Sequence, residues 1–219
     1  MTCLDGSPIF IRMGQSRFTL NWDKLRAATL HVVGSCAPED LGAVKLHKVL
    51  YYSDMLSYLG TGKPVTGAEY RKRPFGPTCD ALLPLIDDLV RSHTVDVESV
   101  PYHGYRKKQF RLLRPVDTNH LSLEEKELLD EMVEFVCRNH SAKTISDFSH
   151  DMVWEMVEFG EVIPYHNALH LIPSVPSDEA VAWGVSEADA IANARSKSSG
   201  EAVAGTDARA FRARLAAVH

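Results

Sequence analysis

No stretch of this 219-residue chain stays apolar for the roughly 18 residues that a membrane-spanning helix requires. No such helix is expected. The opening MTCLDGSPIF lacks the basic start and apolar centre of a secretory leader, so none is expected either. Cysteine is scarce: Cys3, Cys36, Cys79 and Cys137 are widely spaced and form no CxxC pair. Stability is therefore not expected to rest on disulfides, Cys137 reads as a buried thiol, and a reducing cytoplasm is the expected setting. Excess positive charge is also lacking. Lys and Arg total 24 against 29 Asp and Glu, a net charge of −5, which argues against wholesale coating of nucleic acid.

Catalytic kits are lacking too. His166 and His170 are four apart, but no HExxH or zinc-finger spacing accompanies them, and no metal or cofactor is expected. Gly60-Thr61-Gly62-Lys63 misses the GxxxxGK[ST] spacing of a phosphate loop and follows a helix rather than a strand. Ser149-His150 offers a nucleophile beside a base. Neighbours on a helix do not face each other, so Ser149 reads as a cap or local backbone partner and His150 as bonded to a nearby loop. Trp154 reads as a core anchor. The carboxylates between Glu124 and Glu134 read as surface charge on a solvated helix. An enzyme is not expected.

What is there is an ordinary apolar content of 45%, in a length sufficient for one large domain or one domain plus an appendage. The charge is uneven. Lys63 to Arg114 holds ten Lys/Arg against six Asp/Glu, whereas Asp117 to Glu161 holds twelve Asp/Glu against three Lys/Arg. Residues 1–20 lack periodicity and read as an arm. Asn21 caps a helix that places Trp22, Leu25, Thr29 and Val32 on one face and stops by Gly34. Thr94 to Val100 and Tyr105 to Leu113 read as a hairpin around Pro101-Tyr102-His103-Gly104. Its return strand carries Arg106, Lys107, Lys108, Arg111 and Arg114. Ser122 to Glu125 is a capping box opening a helix to about Asn139, with Leu128, Leu129, Met132, Phe135 and Val136 inward. Ser141 caps the next helix, through Ile145 and Phe148, and Pro164 stops a further helical turn around Trp154. Pro173 and Pro176 mark a linker. Beyond it, Ser186 is expected to cap a short helix to Arg195, Ser196 to Gly200 to be a flexible run, and Asp207 to Val218 to form a last helix.

The run from Lys45 to Ile86 is the most informative stretch. Leu46, Val49, Tyr52, Leu56 and Leu59 recur at steps of three and four, giving a helix from about Leu41 to Leu59 with one apolar face. Lys45 and Asp54 are expected on the surface, solvated or paired locally. Gly60, Gly62 and Pro64 end the helix. Val65 to Arg73 reads as extended, with a turn near Thr66-Gly67. Pro74-Phe75-Gly76-Pro77 forces a corner, and Thr78 is the expected N-cap of a helix carrying Ala81, Leu82, Leu85, Ile86 and Leu89. Pro84 lies within that helix and predicts a kink or an early break.

At these residues the chain resembles the Panacea domain, the SocA-like antitoxin family also known from phage-associated proteins. The resemblance is carried by Lys48-Val49-Leu50-Tyr51-Tyr52 with Asp54, by Gly62-Lys63-Pro64-Val65-Thr66-Gly67 with Tyr70, and by Gly76-Pro77. It continues through Ser149-His150, Trp154, Gly160 and Ile163-Pro164, and covers about Leu41 to Leu171. Lys48-Val49-Leu50 stands where the family more often has Lys-Leu-Leu, and Phe-Gly-Pro-Thr where it has Tyr-Gly-Pro-Val.

The resemblance implies an antitoxin that neutralises a toxin encoded beside it, by direct contact or as an adaptor to a cellular protease. The expected fold is α+β and mainly helical: an arm over 1–20, one domain over 21–172 with a small hairpin, and an appendage over 173–219. Tyr70, Arg71, Lys72, Arg73 and Phe75, with Arg106, Lys107 and Lys108 on the hairpin, are the candidate partner-binding residues. Gly76, Pro77, Ser149, His150 and Trp154 are structural landmarks. Helices followed by a basic hairpin also fit a winged-helix plan, which keeps a nucleic-acid-binding regulator as the alternative. A hydrolase using Ser149 and His150 is a distant third reading.

Overall fold

Asn21 accepts a 3.0 Å hydrogen bond from the Lys24 amide on its side-chain oxygen and starts helix α1, Trp22–Ser35. The cap satisfies one amide that the first turn leaves without a partner. Leu25, Thr29 and Val32 are buried as the periodicity requires, whereas Trp22 is exposed. The computed structural model describes residues 18–102, 104–171 and 178–197. Most of the expected arm lies outside them. Phe18, still within the expected arm, packs edge-on against the rings of Tyr58 and Tyr165, so the packed domain begins before residue 21.

Helix α2, Ala43–Thr61, is the centre of the fold, with α1, the helices Leu123–Val133 and Ala142–Phe148 and the first small sheet around it. From Lys48 to Met55 every residue is buried, so this helix has no solvated face there. It ends at Gly62, whose φ of 75° places it in the left-handed region and lets its amide bond the Tyr58 carbonyl at 2.8 Å.

The chain then forms a two-residue strand β1, Tyr70–Arg71, antiparallel to β2, Thr78–Cys79, with Tyr70 opposite Cys79. Thr78 is therefore a strand residue and not the expected cap. Its hydroxyl donates to the Gly76 carbonyl at 3.1 Å. Helix α3, Leu82–Arg91, begins after it without a side-chain cap. Pro84 is the third residue of α3, where the amide it lacks would have no helical acceptor, and it neither breaks nor ends the helix.

Strands β3, Val95–Tyr102, and β4, Tyr105–Leu112, form the hairpin. Pairing runs from Val95↔Leu112 to Tyr102↔Tyr105, so Pro101 and Tyr102 belong to the strand rather than the turn. Val95 and Phe110 face the core. Ser122 and Glu125 form the expected capping box at the start of α4, Leu123–Val133, which continues into a π-helical turn, Glu134–Arg138. The α4 carboxylates are not all free. Lys24 of α1 pairs with Glu125, and His31 of α1 lies 2.8 Å from Asp130. Helix α5, Ala142–Phe148, has a second capping box, Ser141 with Thr144. Helix α6, Met152–Glu155, and a 3-10 turn, Tyr165–His170, complete this unit.

The chain divides into two compact units, Met1–Pro173 and Ser174–His219. In the second, α7 is one helix, Asp178–Lys197. Ser186 lies in its middle instead of capping a shorter helix, and Ser196 is helical instead of opening a flexible run. The rest of that run, the proline linker and the expected last helix lie outside the described residues. The fold is α+β and mainly helical. No described helix is long and apolar enough to cross a membrane.

Candidate partner-binding surface

The corner between β1 and β2 is held from both sides. Outward, residues 70–72 run along residues 160–163. Ile163 donates to the Tyr70 carbonyl at 2.7 Å, Lys72 to Glu161 and Gly160 to Lys72, each at 3.0 Å, and Arg71 bridges Val162. Inward, Gly76 has a φ of 83°, and a Cβ there would lie 2.2 Å from the Ser149 hydroxyl and 2.6 Å from Lys48 Nζ. Only glycine fits both the backbone and the space.

Lys48 is buried and donates to the Pro77 carbonyl at 2.9 Å. Burial pulls its amine down to about 7, and the Asp151 carboxylate works against that. Asp151 caps α6 through the Trp154 amide, 3.0 Å, and burial raises its carboxyl. Ser149 ends α5, and its hydroxyl donates to the Ser146 carbonyl at 2.8 Å, as the cap reading expects. Among the described residues, the His150 ring is not bonded to a loop. Its ring stacks on Trp154 at 4.1 Å and 21°, and its Nε2 has no hydrogen-bond partner among the described residues. Lys72 Nζ sits 4.1 Å from the Trp154 ring and donates to the Val157 carbonyl at 2.8 Å. Trp154 thus lies between a cation and an imidazole, which anchors the corner to α6.

The sequence candidates separate on this frame. Tyr70 is fully buried, its hydroxyl donating to Asp54 at 2.8 Å, and it presents nothing to a partner. Arg71 is half-buried between Glu69 and Asp80, and Arg73 also pairs with Asp80, at 3.3 Å. Arg71 and Lys72 are internal braces. Phe75, 67% exposed, is the candidate that stands free.

On the hairpin, Arg106 binds back to Ser99 through Nε at 3.0 Å. Lys107 donates to the Glu39 carbonyl and lies over the Tyr102 ring, and burial lowers its amine. Lys108 and Arg111 are exposed.

The sequence reading missed two features here. Lys45 and Asp54, expected on the surface, are buried. Lys45 donates to the Cys137 carbonyl at 2.8 Å, and Asp54 gathers the Thr66 amide at 2.7 Å, the Thr66 hydroxyl at 2.5 Å and the Tyr70 hydroxyl. The second is an exposed apolar strip. Phe148, Met152, Met156 and Phe159 are each more than half exposed on the segment that leads into residues 160–163, and Phe75 is the chain neighbour of Gly76, which packs against Ser149. Met152, which opens α6, and Met156, which caps its end, stand at a spacing of four and were the sequence signal for it.

Residues 46–155, which include this corner with Phe148 and Met152, match the family described as antitoxin SocA-like, Panacea domain. The chain belongs to this family. Comparison with curated proteins and with solved structures finds no match. Within the Panacea domain, the Lys48, Gly76 and Ser149 landmarks are one packed contact rather than three separate features. The family supports an antitoxin role in general.

Proposed function

We propose that this protein neutralises a cognate protein toxin, encoded by an adjacent gene, by stoichiometric contact in the cytoplasm. The toxin is held on the strip of Phe75, Phe148, Met152, Met156 and Phe159, with Arg73 at its rim. The observation that carries this reading is the strip itself. Exposed aromatic and Met side chains on the segments that meet at a rigid corner are the composition of a binding surface. Membership of the antitoxin family supplies the class of partner. The buried and backbone-bonded Ser149 hydroxyl supports binding over turnover by that residue. Delivery of the toxin to a cellular protease is the finer form of the same reading.

The test is co-expression with the neighbouring open reading frame. The parent chain restores growth and co-purifies with the toxin. Phe75→Ser with Phe159→Ser keeps the parent melting curve and loses both. A parent chain that neither rescues growth nor co-purifies overturns the function. Rescue undiminished in the double variant overturns the surface. Toxin half-life with and without the antitoxin separates occlusion from protease delivery.

A further inference from the structure

A small apolar cavity of about 50 Å³ opens where the start of α2, helix α3 and strand β4 meet. Leu46, Leu83, Ile86 and Phe110 form its wall. Leu46 and Phe110 are buried, whereas Leu83 is exposed. Three polar side chains line the same cavity: His47, Asp87 and Lys108. His47 Nδ1 accepts the Cys79 amide at 3.2 Å, so a neutral ring carries its proton on Nε2. Burial, and after it the Lys48 charge, lower the His47 pKa to about 4, which keeps the ring neutral near pH 7. Among the described residues the Nδ1 bond is the one this ring makes, and Nε2–H is left without an acceptor. Asp87 and Lys108 are exposed, and among the described residues neither side chain forms an ion pair or a hydrogen bond.

We propose that this cavity binds a free aliphatic α-amino acid. Lys108 and His47 Nε2–H meet its carboxylate, Asp87 meets its ammonium, and its branched side chain packs on Leu46, Ile86 and Phe110.

An apolar wall with a few convergent polar groups and a pKa-shifted residue is the usual make-up of a small-molecule pocket. The volume selects the side chain. A water-sized group, close to a methyl, occupies roughly 30 Å³, and a benzene ring needs a cavity of about 150 Å³. The 50 Å³ here therefore takes the isopropyl end of valine or leucine and rejects an aromatic ring. The charges select the head. An amide within a peptide would leave Asp87 and Lys108 both without a counter-charge, and a chain terminus would answer one of them. A zwitterion answers both. Because both charged groups are exposed, affinity is modest and falls with salt. None of these residues belongs to the Phe75 to Phe159 strip, so the proposal stands apart from toxin binding.

The experiment follows the backbone amide spectrum of the isotope-labelled full chain while L-leucine is added up to about 10 mM, tenfold above a Kd of about 1 mM. Saturable shifts are expected at Leu83, Ile86, Lys108 and Phe110, with a rise in melting temperature of roughly 3–6 °C at the highest concentration. L-valine should reproduce them. L-phenylalanine, leucinamide and 4-methylpentanoate should each bind at least about fivefold more weakly. Asp87→Asn and Lys108→Gln should weaken leucine by a similar factor and keep the parent melting curve without ligand. The absence of saturable shifts with leucine and valine would overturn the proposal. So would leucine binding undiminished in both variants. N-acetyl-leucine binding as tightly as leucine would also overturn it, by assigning the cavity to the C-terminus of a polypeptide.

Discussion

Tyr165 and Asp54 are 111 positions apart, and their side chains meet with the tyrosine hydroxyl 3.2 Å from the carboxylate. The same hydroxyl lies 2.6 Å from the Ala68 carbonyl oxygen. One proton cannot serve both acceptors. Burial pushes the Asp54 carboxyl above its usual range, against the pull of the Thr66, Tyr70 and Tyr165 hydrogen bonds. A proton on that carboxyl would supply the donor that the pair otherwise lacks.

Asp54→Ala is expected to cost roughly 3–5 kcal/mol, because it orphans the Thr66 amide and hydroxyl and the Tyr70 hydroxyl inside the core. Tyr165→Phe removes a single donor and is expected to cost about 1–2 kcal/mol. Urea unfolding of the two variants checks the order. Equal losses would show that the carboxylate is not the centre of the network.

Gly76→Ala combines a backbone penalty at φ 83° with a collision against Ser149 and Lys48. The expected loss is about 2–4 kcal/mol. Shortening the hydroxyl partner with Ser149→Ala should recover part of it. A thermal melt of Gly76→Ala that matches the parent would show an open corner.

His47 accepts the Cys79 amide at 3.2 Å and sits against Lys48, and burial, followed by that charge, lowers its pKa to about 4 from 6.5. Between those values the unfolded chain binds more protons than the folded one. Stability therefore rises with pH across this window and is lost as pH falls through it, by up to roughly 3 kcal/mol. His47→Gln keeps an acceptor that does not titrate, and should flatten the dependence of Tm on pH there. An unchanged slope would assign it to other groups.

Charge reversal on the hairpin should divide the three basic candidates. Arg106→Glu and Lys108→Glu are expected to shift stability by no more than about 0.5 kcal/mol. Lys107→Glu removes the bond to the Glu39 carbonyl and should cost roughly 1 kcal/mol. The parent chain should show negligible affinity for duplex DNA at physiological salt. Tight binding that falls steeply with salt would restore the winged-helix reading.

Local signals were legible. Asn21, Ser122 and Ser141 announced their helices because a cap and its amide lie within three residues. The hairpin followed from alternation. What failed were groups whose partners are distant in sequence. Asp54 and Lys45 sit on an apolar helix as polar residues, and nothing nearby shows that Tyr165 or the Cys137 carbonyl will bury them. Tyr70 resembled an exposed neighbour of Arg71 until the bridge to Val162 enclosed it. The carboxylates after Ser122 are not all solvated surface charge, because Glu125 pairs with Lys24 and Asp130 lies against His31, both on α1. Thr78 was misread because a threonine before an apolar run marks a cap and a strand alike.

The β3–β4 sheet has two strands only, so each keeps one unpaired edge of backbone amides and carbonyls. Such an edge is a template for a strand from another molecule. Here the outer half of the hairpin places Glu98 and Ser99 opposite Gln109 and Lys108, and Val100 and Pro101 opposite Lys107 and Arg106. A third strand would have to bury those charges and meet a proline that offers no amide. Basic residues along such an edge oppose pairing with another chain, so replacing them with apolar side chains is expected to open a seam along which copies of the chain could stack.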